Sequence, residues 1–121
     1  MIPSATESAH AIASARAALE RYGRFLFGNA KLEGELYDLG LLTNGERYMA
    51  IDLALQEICA SDRRGPSPPN DIVSHAPYRN HRLYAFRWAS PHLGKLMYFK
   101  FSLAQGSRGE GLVVFSFHKS E

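Results

Sequence analysis

Leu96-Met97-Tyr98-Phe99-Lys100-Phe101-Ser102-Leu103-Ala104 alternates along its length. Met97, Phe99, Phe101 and Leu103 fall on one side, and Tyr98, Lys100 and Ser102 on the other. A period of two belongs to an extended strand, whose successive side chains point to opposite faces. The neighbouring segments repeat the pattern. Residues 83–89 set Tyr84, Phe86 and Trp88 opposite Arg87, and residues 112–118 set Val113, Phe115 and Phe117 opposite Ser116 and His118. Ser90-Pro91-His92-Leu93-Gly94 and Gln105-Gly106-Ser107-Arg108-Gly109 separate the three runs. Connections this short, and this rich in turn formers, join antiparallel neighbours, so the C-terminal third is expected to be a meander with one aromatic face.

Centring each hairpin on its turn while keeping the aromatic sets together puts Phe86 beside Phe99 beside Phe117, with Tyr84, Phe101 and Phe115 in the next row. The same register aligns Arg87, Tyr98 and His118 across the polar face, with Lys100 and Ser116 in the row beside them.

Upstream, the period changes to that of helices. Ser4-Ala5-Thr6-Glu7 fits a capping box, in which Ser4 takes a backbone N–H and Glu7 reaches back to it. Ile12, Ala15, Leu19 and Tyr22 follow at helical spacing, which predicts a helix over 5–22 ending at Gly23. Leu32, Leu36 and Leu39 mark a short second helix stopped by Gly40. Thr43-Asn44-Gly45-Glu46 caps a third, with Tyr48, Ile51, Leu55 and Ile58 on one stripe. Arg24-Phe25-Leu26-Phe27 reads equally as a strand or as a packed connection. Residues 62–80 contain Arg63-Arg64-Gly65-Pro66-Ser67-Pro68-Pro69-Asn70 and read as a long loop, basic at its start, of the kind that is often functional. The expected fold class is therefore α+β, N-terminal helices packed on a C-terminal antiparallel sheet, in one domain over 1–121.

Composition bounds the class of protein. A hydrophobic share of 45% with 21% charged residues belongs to a folded globular chain, and no apolar run reaches the length of about 20 residues that a membrane crossing needs. Met1-Ile2-Pro3-Ser4 lacks the positive start of an export signal, and Ser8, His10 and Ser14 interrupt the alanines after it, so a cytoplasmic location and no membrane partner are expected. Cys59 is the single cysteine; it excludes an internal disulfide and is expected to be buried on the third helix. The net charge of +2 hides an asymmetry: residues 1–62 hold five Lys/Arg against nine Asp/Glu, and residues 63–121 hold nine against three, together with His75, His81, His92 and His118. The basic half is the candidate surface for an anion, although one domain can also carry its polar residues unevenly.

The polar row has the composition of a phosphodiester-cleaving site. RNA breaks when its own 2′-hydroxyl attacks the adjacent phosphorus, which needs a base, an acid for the leaving oxygen, and cations for the crowded oxyanion. Histidine titrates near neutrality and fills either proton-transfer role; arginine and lysine stabilise phosphate charge, and tyrosine donates a hydrogen bond or stacks on a base. Tyr98, Lys100, His118 and Arg87 are thus the candidate catalytic residues, and Arg79, Arg82, His75, His81 and Lys119 the candidate RNA contacts. This chemistry calls for no cofactor. His75 and His81 have no Cys or Glu at ligand spacing, so no metal site is expected. Polar residues also occupy ordinary solvated sheet faces, and the same surface could bind RNA without turnover. The acidic helices could equally contact a protein partner, making the chain a regulator.

Asp38-Leu39-Gly40-Leu41, Asn80-His81-Arg82-Leu83-Tyr84, Met97-Tyr98-Phe99-Lys100-Phe101 and Val114-Phe115-Ser116-Phe117-His118-Lys119 resemble, in order and spacing, the MqsR-type toxins of the RelE-like superfamily over about residues 20–119. The resemblance implies a RelE-like fold, a toxin of a type II toxin-antitoxin system that cleaves mRNA at short sequences, and a cognate antitoxin protein that neutralises it. It maps the family's aromatic-x-lysine onto Tyr98 and Lys100. The family's C-terminal lysine falls at His118, with Lys119 adjacent; its first-strand glutamine falls at Ala85, and its loop lysine near Ser74 and His75.

Overall fold

Phe86, Phe99 and Phe117 stand side by side in three adjacent strands and are completely buried, and around this row the rest of the chain is arranged. The computed structural model describes residues 4–66 and 70–120; the Met1-Ile2-Pro3 start and the Ser67-Pro68-Pro69 part of the proline-rich stretch lie outside it. The elements run α1 (Ala5–Tyr22), β1 (Leu26–Phe27), α2 (Lys31–Asp38), α3 (Asn44–Glu57), a 3-10 turn (Ala60–Asp62), β2 (Arg63–Gly65), β3 (Tyr84–Ser90), β4 (Lys95–Gly106) and β5 (Gly109–Lys119). The result is α+β: three helices and a five-stranded sheet of order β1-β5-β4-β3-β2, antiparallel except for β1 against β5. No helix among the described residues is long and apolar enough to cross a membrane.

The helices form where the sequence places them. Ser4 caps α1 by accepting from the Glu7 N–H, and Gly23, in the left-handed region at φ 68°, ends it. The Glu7 carboxylate does not return to the cap as a capping box requires; it is taken by Arg63 and Arg82. Thr43 and Glu46 make the full reciprocal box at the start of α3. Ala11, Ala15, Leu19, Leu32, Leu36, Ile51 and Leu55 bury their stripes against the aromatic face of the sheet. Each large apolar side chain so buried contributes about 1.5–3 kcal/mol relative to exposure.

Three expectations are corrected. Arg63 does not begin a solvated loop: it starts β2, paired with β3, and its buried guanidinium donates to the Gly65 and Leu83 carbonyls and to Ser8 Oγ, reaches Glu7, and lies 4.8 Å above the Tyr84 ring. Cys59 is exposed rather than buried, because α3 stops at Glu57 and Cys59 opens the following turn with its Sγ 3.1 Å from Ser61 Oγ. Phe115 does not share a row with Tyr84 and Phe101. Lys100 pairs with Ser116 whereas Phe101 pairs with Val114, so β5 carries one extra residue, a bulge at Phe115. Simple alternation would leave Leu112 and Val114 on the polar face. The bulge lets Leu112, Val114 and Phe117 all enter the main core, while Val113 and Phe115 turn to the opposite face and form a second apolar cluster with Val73 and Leu83. Val73, Tyr78 and Leu83 of the 70–83 segment therefore pack on part of the face expected to be open.

The ambiguous Arg24-Phe25-Leu26-Phe27 run resolves into β1 over its last two residues, which pair with Val113 and Val114 in the middle of the β5 edge. Beyond it the edge is closed piece by piece: Gly28 N–H donates to the Val114 carbonyl (2.7 Å), Asn29 Nδ2 to the Phe115 carbonyl (3.1 Å), and the Phe117 N–H to Glu35 Oε1 (2.9 Å). An edge so blocked is closed to further strand pairing.

Candidate functional site

On the face opposite the main core, Arg87 of β3 pairs with Tyr98 of β4, and Tyr98 with His118 of β5. The Tyr98 and His118 rings lie with centroids 5.2 Å apart at 34°. Lys100 occupies the adjacent row between Ala85 and Ser116. The row and its neighbour are as the alternation of the three strands requires, because the bulge falls just past Lys100 and leaves the register towards the end of β5 undisturbed.

Each of these side chains is conditioned by what surrounds it. His118 Nδ1 is 2.8 Å from the carbonyl oxygen of Lys119. A carbonyl only accepts, so Nδ1 carries the proton and, in the neutral ring, Nε2 keeps the lone pair needed by a base. Burial pushes the Tyr98 phenol above its ordinary value, and the Glu35 carboxylate adds to the rise, so at neutral pH the group is a hydrogen-bond donor. Burial draws the Lys100 ammonium below its ordinary value; the Lys31 charge adds to the fall and Glu35 opposes it. A phosphate placed there would favour the charged form of Lys100. Arg87 is exposed and donates through Nε to Ser120 Oγ at 3.0 Å, which holds it against the end of β5.

Lys31 and Glu35 were not among the residues singled out from the sequence. Their signal is positional: each directly precedes a buried leucine of α2, Leu32 and Leu36, so both flank the stripe that docks on the β5 edge. Glu35 also lines a groove with Asp38, Lys95, His118 and Lys119, which puts the exposed Lys119 beside the row but outside it.

Lys100 opens the other way, into a cleft of about 650 Å³ between the 70–83 segment and the sheet, where His75 and Arg79 join it. Both are exposed on the loop. His81 and Arg82 are not brought there. His81 turns its Nδ1 to the Tyr78 carbonyl (2.9 Å) and meets the Tyr78 ring edge-on, and Arg82 pairs with Glu7 at 3.0 Å and with Asp71 at 3.7 Å. The candidate residues thus divide into a row of Arg87, Tyr98 and His118 with Lys119 in the groove beside it, a basic cleft of Lys100, His75 and Arg79, and His81 and Arg82, held by contacts within the fold. Among the described residues, no three His, Cys, Asp or Glu side chains gather in a group that could hold a metal ion.

The row offers a proton acceptor and a neutral phenolic donor, and Lys100, in the row beside it, lines the cleft with His75 and Arg79. Comparison with protein-family models, with curated proteins and with solved structures finds no match to this chain.

Proposed function

We propose that the protein is an endoribonuclease of the mRNA-cleaving toxin type, which acts without a metal by attack of the substrate's own 2′-hydroxyl. The observation that carries this reading is the Arg87–Tyr98–His118 row with Lys100 beside it. In this scheme His118 Nε2 takes the proton of the 2′-hydroxyl, which attacks phosphorus; the bond to the 5′-oxygen breaks as that oxygen takes a proton from solvent water, and the products are a 2′,3′-cyclic phosphate and a 5′-hydroxyl. Lys100 and Arg87 stabilise the charge on the non-bridging oxygens, and the Tyr98 phenol donates to one of them. Arg79, His75 and Lys119 hold flanking phosphates. A toxin of this kind requires an antitoxin protein, and His118 stands where the MqsR resemblance expects lysine, so proton transfer here is assigned to imidazole.

The test is cleavage of RNA by purified protein in the presence of a chelator. Loss of about 10²- to 10⁴-fold in rate is expected for His118→Ala, with the fold intact by circular dichroism. A second reading, RNA binding without turnover, is favoured by the separation of His75 and Arg79 from the Tyr98–His118 pair; it would leave the RNA whole while binding it salt-dependently.

A further inference from the structure

The cleft beside Lys100 has walls of two kinds. Ile72, which is 39% exposed, lines it from the 70–83 segment, and Phe115, turned to this face by the bulge but only 8% exposed, lines it from the sheet; His75, Arg79 and Asn80 line it as well. A pure phosphate groove would have no use for the apolar side. A pure apolar groove would not gather three basic groups. The volume, about 650 Å³, lies within the roughly 300–1,000 Å³ of sites that take one small-molecule-sized group. We propose that this cleft seats a single unpaired nucleobase of the RNA strand, its face on Ile72, its edge towards Asn80, and its phosphate on Arg79. A duplex keeps its bases stacked and paired, so only a splayed-out base can enter. This rests on RNA being the ligand of the adjoining row, and it adds a site for one base outside that row.

The test uses the full chain and short oligonucleotides with 2′-O-methyl riboses, which cannot be cleaved. Three probes are compared by fluorescence anisotropy: a single strand, the same strand with every base replaced by an abasic site, and the duplex. The abasic strand is expected to bind about 5- to 100-fold more weakly than the complete one, the range for loss of one stacked base, with the duplex also weaker. The Ile72→Ala protein is expected to narrow this difference at least several-fold while binding the abasic strand as wild type does. Equal binding of the complete and abasic strands would overturn the base site, as would a difference that is unchanged in the Ile72→Ala protein. Base-dependent binding of a strand whose ribose form is never cut would leave the base site standing and overturn the endoribonuclease reading alone.

Discussion

Tyr98 is both a packing surface for the His118 ring and a phenolic donor, and the two roles separate on substitution. Tyr98→Phe keeps the ring and removes the hydroxyl. RNA cleavage is expected to fall about tenfold or more with the thermal midpoint nearly unchanged, and equal cleavage by the two proteins would remove the phenol from the reaction. Glu35→Gln isolates the charge next to it, because glutamine still accepts the Phe117 N–H. Glu35 raises the Tyr98 pKa, so its neutralisation is expected to lower the pH at which Tyr98 ionises, read from tyrosinate absorbance after subtracting the Tyr98→Phe titration. The aromatic-x-lysine of β4 was legible because strand alternation alone sorts side chains by face. Glu35 was not, since its position at the site depends on where α2 docks, and no local pattern encodes that.

At the scale of elements, the departures from the sequence reading share a cause: burial of one segment by another distant in the chain. Alternation predicted the faces of β3 and β4 but not the bulge of β5, because the benefit of turning Phe115 exists only once residues 70–83 arrive to cover it. Arg63 looked solvated because its partners, Glu7, Ser8 and Leu83, are spread along the chain. The bulge also explains Gly28. A Cβ there would lie 2.5 Å from the Phe115 ring, so Gly28→Ala is expected to destabilise the fold by about 1–3 kcal/mol in denaturant unfolding. Glu57 ties the end of α3 to the β3–β4 hairpin by accepting from Ser90 Oγ, Trp88 Nε1 and the His92 N–H. Burial alone would raise its pKa, but these donors together hold it below the ordinary value of 4.5. A carboxyl lowered on folding contributes stability that is full above its unfolded pKa and lost as pH falls through the folded one. Glu57→Gln is therefore expected to narrow its stability gap to wild type on acidification below about pH 4.5, as measured by chemical unfolding. A gap independent of pH would exclude the charge as the cause.

For the molecule as a whole, the acidic helices and the basic sheet are not two independent surfaces. Glu7 of α1 bridges Arg63 and Arg82, so part of the positive charge of the C-terminal half is neutralised inside the fold. Lys100, His75 and Arg79 remain around one cleft, Lys95, Lys119 and His118 share a second groove with Glu35 and Asp38, and Arg87 stands at the end of the row. The overall class and the polar row could be read from periodicity; the cleft could not, because it is made by a loop folding back over the sheet. In the proposed reaction this surface moves protons on RNA. Its most direct measurement is the end group left when purified protein is incubated with single-stranded RNA and a chelator. Wild type should leave 2′,3′-cyclic phosphate and 5′-hydroxyl ends, and His118→Ala should leave the RNA intact; undiminished cleavage by the folded variant, or intact RNA with wild type, would contradict it.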